Sequence, residues 1–567
     1  MIRFCRCFCV LPVALALAGA AGVASATGPV RSTSLGKVVG SDDSAASGTY
    51  AWKGIPYAQA PVGALRWKAP ADARPWTAPR AAKDFGAACA ATGRLDGPGL
   101  NNRYDQTLAA SLGRTVGSED CLYLNVWRPA TAQGKLPVIV FVHGGSNVSG
   151  YTADPMYDGA ALARTANAVV VTVNYRLGVF GFFRSPHLRS DDAAESSGNF
   201  ALLDLIKSLQ FVQRNSAAFG GDPANVTLMG ESAGAVNVYA LLTSPLMQGI
   251  QPRLIHRVLP MSGGISRAED LPPGSVPVLL DPAYFDRQAE LLLTAAAAQA
   301  QPGPHKPEAI AAYLRSLGTD EVLSLVRTRL TAANLALSGP IADGFVMSSD
   351  PIGAIRAGRY LQVPVLAGNT RDEAKLFASL LALSPALGGV SGRLLGETEL
   401  FELVSRYDPD APAQIRIDQW IPAQYLPVDA PGTGFNARTG LLNEVWFSPL
   451  RDSVLDALKS RQDTVWHYRF DWAREPAPFD QIYGAAHAFD LFFTFGNFGP
   501  SVLSRVLFSK ANQPGRLALS DAMMRSIGAF ARTGNPNNAA LGRAWPAWPR
   551  SLVFDATLDA KRISVSP

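Results

Sequence analysis

The stretch Val226-Thr227-Leu228-Met229-Gly230-Glu231-Ser232-Ala233-Gly234, continuing through Ala235 to Leu242, decides the fold. Its first residues form a short apolar run of the kind that makes a buried strand, and its tail carries the apolar pattern of a helix. Between them two glycines flank Ser232 at a distance of two residues on either side. A turn sharp enough to pass from strand to helix at that point leaves no room for a Cβ at Gly230 or Gly234. It pushes the serine hydroxyl out at the helix N-terminus, as in a nucleophile elbow. Ser232 is therefore the candidate nucleophile.

Outward from this point the chain alternates strands and helices. Val138 to Val142 and Val169 to Val173 are continuous apolar runs, which suit parallel strands buried on both faces. Ala160 to Ala168 and Ala201 to Val212 have helical composition and spacing, and Arg257 to Pro260, Val363 to Ala367 and Val465 to Phe470 are further strand candidates. The alternation predicts an α/β fold with a mostly parallel central sheet and helices on both faces. Leu271 to Tyr360 and Leu383 to Asn443 are expected to be helical insertions placed over a site. No internal repeat and no linker marks a boundary, so residues 27–567 are expected to form one domain.

A serine hydroxyl needs a base to take its proton and a carboxylate to orient that base. Of six histidines, His467 lies in a strand pattern, His305 in a Pro-rich loop, and His187 and His256 at unpromising positions. His487, after the small-residue run Gly484-Ala485-Ala486 and beyond the last strong strand, is the candidate base. Asp372-Glu373 follows the strand Val363 to Ala367 and an expected turn at Gly368-Asn369-Thr370, and supplies the acid. A tetrahedral intermediate also requires backbone N–H donors. Gly144 and Gly145, directly after a strand end, and Ala233, after the serine, are placed to provide them. His143 is expected to hold that loop by a hydrogen bond.

These residues, with Gly54-Ile55-Pro56-Tyr57-Ala58, Ser118-Glu119-Asp120-Cys121-Leu122-Tyr123-Leu124-Asn125, Asn174-Tyr175-Arg176-Leu177-Gly178 and Phe219-Gly220-Gly221-Asp222-Pro223, resemble the type-B carboxylesterase family, which includes the cholinesterases. The resemblance covers nearly the whole chain. It implies an α/β-hydrolase fold and hydrolysis of small carboxylic esters through an acyl-enzyme. It also implies a Ser232, Glu373, His487 triad with the acid at the second residue of the acidic pair, an oxyanion hole from Gly144, Gly145 and Ala233, a disulfide between Cys89 and Cys121, and no cofactor. The chain departs from the family pattern at Ala374 and Ala488, where glycine is usual, at Asp490, where glutamate is usual, and at Ser146-Asn147 in the oxyanion loop. Amidases and lipases use the same triad, and adhesion proteins of this fold lack the serine; its presence here favours the enzyme.

The 567 residues are 48% hydrophobic and 17% charged, which is ample for a large core and excludes disorder. Fifty-one basic residues against 46 acidic ones, with no run of like charge, give no support to nucleic-acid binding. Arg3 and Arg6 precede an apolar run from Val10 to Val23 that ends in Ala24-Ser25-Ala26, the layout of a secretory signal peptide cleaved after residue 26. Pro12 and the lack of a following basic cluster argue against a membrane anchor. The mature chain is thus expected to be secreted or periplasmic, without stable membrane insertion and with its oligomeric state open. Of five cysteines, Cys89 and Cys121 survive cleavage. Export to an oxidising compartment makes them a disulfide pair, two separate thiols being the other outcome.

Overall fold

Alternate residues of the central strands point into two different cores. Along Leu136–Val142, Val138, Val140 and Val142 pack into one cluster while Ile139 and Phe141 pack into the other, and every residue of the strand is buried. That double burial is why these segments read as unbroken apolar runs. The computed structural model describes residues 29–131, 134–298, 307–381, 397–421 and 423–566. The signal segment 1–26 and the first part of the Leu383 to Asn443 insertion lie outside them.

Eleven strands form the main sheet: β1 Ser41–Asp43, β2 Thr49–Pro56, β3 Tyr123–Pro129, β4 Leu136–Val142, β5 Val169–Val173, β6 Gly221–Glu231, β7 Arg257–Met261, β8 Val365–Thr370, β9 Val465–Phe470, β10 Leu552–Ala556 and β11 Lys561–Val565. Their spatial order is β1-β2-β3-β5-β4-β6-β7-β8-β9-β10-β11. From β5 to β10 every neighbouring pair is parallel, and antiparallel pairs close both edges. Helices α1 Ala160–Ala166 and α5 Gln513–Thr533 lie on the face of Phe141. Helices α2 Phe200–Asn215, α3 Ala233–Leu242 and α4 Phe447–Lys459 lie on the face of Val140. This is the α/β-hydrolase arrangement.

The order of β6, β4 and β5 makes the chain reverse direction across the sheet at β4, so the C-terminal ends of β4 and β6 open side by side at a switch point where parallel sheets place their sites. One expectation from the sequence needs correction here. Gly368-Asn369-Thr370 is not a turn but the end of β8, held in register against Tyr468, Arg469 and Phe470 of β9. The pairing outweighs the turn propensity of Gly and Asn, because the parallel partner satisfies the backbone groups that a turn would expose. The flanking strands β1, β2, β3, β10 and β11 escape apolar-run reading because polar residues such as Lys53, Asn125, Arg128 and Asp555 interrupt them.

The cysteines at 89 and 121 are joined in a disulfide that closes a loop spanning 32 positions. That loop carries Arg94, Leu95 and Asp96 to the rim of the cavity described next. In the chain-entropy account, removing the bridge by replacing both cysteines with serine is expected to cost about 3–4 kcal/mol of unfolding free energy. Denaturant unfolding of the double variant, followed by fluorescence, measures this; an unchanged midpoint would contradict it.

Candidate active site

Ser232 has φ 56° and ψ −123°, a left-handed conformation that a side chain adopts only when its surroundings enforce it. The enforcement comes from the glycines. A Cβ on Gly230 would stand 2.5 Å from the Gly234 carbonyl oxygen, and one on Gly234 would collide with the Val142 carbonyl oxygen at the end of β4. The helix α3 is buried along its whole length, so the elbow cannot relax outward.

Beside the elbow, His487 and Glu373 meet. His487 Nδ1 lies 2.6 Å from Glu373 Oε2, and both residues are buried. Glu373 Oε1 accepts hydrogen bonds from Ser262 Oγ at 2.6 Å, Thr370 N at 2.8 Å and Asn369 Nδ2 at 3.0 Å. Burial pushes the Glu373 carboxyl up, but His487 and these donors outweigh it and hold the group ionised below its ordinary range. On the other side of the imidazole, His487 Nε2 lies 3.1 Å from Glu231 Oε1. Glu231, the residue before the serine, is buried and its carboxyl is pushed up to about 8 by desolvation.

Asp372 points elsewhere. Its Oδ2 accepts from Ala485 N at 3.0 Å and from Arg371 Nη2 at 2.7 Å, while its own N–H donates to the Ala485 carbonyl at 2.9 Å. It clamps the loop that presents His487. Consecutive residues at the end of β8 thus divide the work, one holding the imidazole and the other its backbone.

Gly144 packs against the elbow: a Cβ there would lie 2.8 Å from Glu231 Oε2 and 3.0 Å from Ser232 Cβ. Gly145 has φ 99°, open to glycine alone at low cost. Among the described residues, the backbone N–H groups of Gly144, Gly145 and Ala233 donate to no protein acceptor. His143 is buried, stacked on Tyr175 at 4.6 Å, and its Nδ1 lies 2.9 Å from the Gly144 carbonyl. Desolvation lowers it to about 4, so it is neutral and braces the loop. Ala488 takes φ 67° where the family has glycine, and Asp490, standing where the family has glutamate, accepts from Tyr468 OH at 2.6 Å.

Of the residues singled out in the sequence, Ser232, His487, Gly144 and Gly145 line one cavity of about 220 Å³, and Glu373 and Ala233 lie beside them without lining it. Met156, Tyr157, Phe377, Phe489 and Phe492 form an apolar wall, and Arg94, Asp96, Asp154 and Glu397 form a polar rim. Leu400 joins the wall from the second helical insertion. The helices of the first, Pro282–Ala297 and Thr319–Leu325, instead pack on Trp67, Phe180 and Phe183 and line no part of it. Sequence reasoning missed Glu231, Ser262 and Asn369 as partners. Ser262 could have been found, since it directly follows β7 at the same sheet edge; the others carry no signal that names their contact.

A parallel sheet with an elbow serine, a buried imidazole–carboxylate pair and unpaired N–H donors at one edge defines a serine hydrolase of the α/β-hydrolase class. The chain belongs to the carboxylesterase family, whose model matches residues 27–561, and it is a carboxylic-ester hydrolase. It is 32% identical to the para-nitrobenzyl esterase of Bacillus subtilis (strain 168) over 94% of this chain and 96% of that one. It is 30% identical to the fumonisin B1 esterase of Sphingopyxis macrogoltabida over 91% of this chain and 85% of that one. The crystal structure of the Geobacillus stearothermophilus carboxylesterase EST55 superposes with a TM-score of 0.67 at 31% identity, covering 95% of this chain and 98% of that one.

Burial alone would lower the His487 imidazole, but Glu231 and Glu373 on its two sides outweigh burial and raise it to about 9. Replacing Glu231 by Gln removes the carboxylate beside Nε2, one of the groups that raise the imidazole. The imidazole is then expected to titrate at lower pH, a shift that NMR of the ring protons reads directly; an upward shift or none would contradict the assignment.

Proposed function

We propose that Ser232, His487 and Glu373 act as nucleophile, general base and orienting acid in ester hydrolysis through an acyl-enzyme, with Gly144, Gly145 and Ala233 forming the oxyanion hole. The observation that carries this reading is that a serine held in a strained elbow and a histidine bonded through Nδ1 to a buried carboxylate line one cavity together with Gly144 and Gly145, whose backbone N–H groups, like that of Ala233, have no protein acceptor among the described residues.

The carboxylate at Nδ1 fixes the tautomer that leaves Nε2 free to accept a proton. Ser232 Oγ attacks the ester carbonyl carbon as Nε2 takes the hydroxyl proton, and the carbonyl oxygen becomes an oxyanion facing the three N–H groups. Collapse expels the alcohol, which leaves with the proton from Nε2. Water then adds to the acyl-serine, giving its proton to Nε2, and the second collapse returns that proton to Ser232 and releases the carboxylic acid. The apolar wall suits the hydrocarbon part of an ester. The polar rim suits a head group at the mouth.

Export after removal of residues 1–26 to the periplasm or the medium is part of the same reading. The disulfide supports it, since such bonds persist in oxidising compartments. Among the described residues no helix is long and apolar enough to cross a membrane. N-terminal sequencing of the secreted chain should begin at Thr27.

Ser232→Ala is expected to abolish turnover of an aryl ester, since losing the nucleophile of a triad costs roughly a millionfold in the best-measured case. A fluorophosphonate should label one peptide, the one containing Ser232. Glu373→Gln, which keeps the shape but favours the wrong tautomer, should lower turnover by about 10⁴. Asp372→Asn should lose far less, because Asp372 reaches Ala485 and Arg371 and not the imidazole. Steady-state kinetics of the two amide variants decide between the neighbours: a crippled Asp372→Asn beside an active Glu373→Gln would overturn the assignment.

A further inference from the structure

Behind Glu373 a line of polar side chains runs into the core, away from the cavity. Asn369, at the end of β8, places Nδ2 3.0 Å from Glu373 Oε1 and Oδ1 3.3 Å from His467 Nε2. His467, fully buried in β9, places Nδ1 2.7 Å from Ser551 Oγ. Asn369 and His467 face each other because β8 and β9 are parallel neighbours, with Ala367 opposite His467.

The direction of every bond in this line follows from its last member. Glu373 Oε1 already accepts from the Thr370 backbone N–H, which can only donate, so that oxygen is an acceptor. Asn369 must turn its NH₂ toward the carboxylate, which leaves its carbonyl oxygen facing His467. A carbonyl only accepts, so His467 carries its proton on Nε2. Its Nδ1 is then a bare lone pair, and Ser551 donates to it. Ser551, His467 and Asn369 all donate inward, toward one carboxylate. Chains of this sense polarise one another, and their joint effect falls on the terminal acceptor.

The ring is held neutral for reasons independent of the chain. Burial disfavours its charged form, and Arg451 and Arg469 lie close enough to oppose it further. Trp548, its ring centre 5.4 Å from that of His467 and its plane nearly perpendicular, closes another side. A fixed, neutral donor is what an ionised carboxylate needs behind it.

We propose that Asn369 and His467 are positioning residues of the hydrolytic site, an inward-donating chain anchored at Ser551 that keeps Glu373 ionised and aimed at His487 Nδ1. The inference rests on the triad reading. Neither side chain touches substrate, and both act through Glu373.

The consequence for pH has a definite sign. In the active form Glu373 is an anion bonded to a neutral imidazole and depends fully on its donors. After protonation, the charge is shared with an imidazolium or removed, so the donors matter less. Losing a donor therefore destabilises the active form more than the protonated one, and the acid limb of kcat/KM moves to higher pH. The other groups facing His487, namely Glu231, Asp490 and the rings of Phe377 and Phe447, are unchanged by the substitution.

The test compares Asn369→Leu, His467→Leu and His467→Gln in the full chain on one aryl ester, with thermal midpoints and the organophosphate titre of reactive serine measured for each. Asn369→Leu is expected to lower kcat about tenfold, with KM changed by less than about twofold and the acid limb raised by about one pH unit, as loss of one hydrogen bond to a charged group implies. His467→Leu should move kcat and the limb the same way by a smaller amount. His467→Gln, whose amide can place an N–H where Nε2–H stands, should restore both. An unmoved acid limb in Asn369→Leu overturns the proposal, as does a loss of kcat that follows only a falling thermal midpoint or serine titre. Should Asn369→Leu not fold, a limb that fails to move in His467→Leu, or moves without recovery in His467→Gln, overturns it equally. Near-normal turnover in Glu373→Gln would instead remove the triad reading on which it rests.

Discussion

The site depends on the backbone ladder of the parallel sheet continuing past the ends of its strands. Ser232 N donates to the Met261 carbonyl at 2.9 Å, Ser262 N to Gly368 at 2.8 Å, Arg371 N to Phe470 at 2.8 Å and Asp372 N to Ala485 at 2.9 Å. Each bond joins the loop leaving one strand to its neighbour's strand end or loop, so Ser232, Glu373 and His487 are fixed to one another by main-chain contacts before any of their side chains meet. Residues far apart in sequence are thereby held with the accuracy of a sheet register. The strain at Ser232 persists for the same reason: a positive φ at a non-glycine residue costs free energy, and the surrounding ladder and the buried helix α3 over-determine it.

Two buried carboxylates flank one imidazole, and their surroundings separate them. Glu373 has four donors across its two oxygens, so burial does not neutralise it. Among the described residues Glu231 Oε1 has no hydrogen-bond donor, although His487 Nε2 lies 3.1 Å away, and desolvation prevails. Environments that push two like groups apart in this way give chemically similar residues different acidities.

The core of this arrangement was legible in the sequence wherever a local constraint left a local mark. The elbow could be read because its two glycines answer a steric demand within five residues. His487 could be read because the other histidines sit in patterns that explain them without catalysis. The acid came down to adjacent residues, and the family resemblance favoured the second; side-chain direction at a strand end depends on neighbours more than 100 positions away, which no spacing records. The same limit hid Asn369, whereas Ser262 stood in plain reach directly after β7. Asn369 was read as part of a turn, since Gly-Asn-Thr favours one locally, and the pairing with β9 that straightens it belongs to the fold as a whole. His467 looked like an ordinary strand histidine because its partners, Asn369 and Ser551, lie 98 and 84 positions away.

The division of labour between Asp372 and Glu373 constrains how such an enzyme can be rebuilt. Both residues grip the segment around His487, one by its side chain and the other by its main chain, from a single strand end. Lengthening either segment by one residue would break both grips together. The two segments therefore form one exchangeable module: a graft between relatives must carry both or neither, while the cavity walls at Met156, Phe377 and Leu400 can vary one residue at a time.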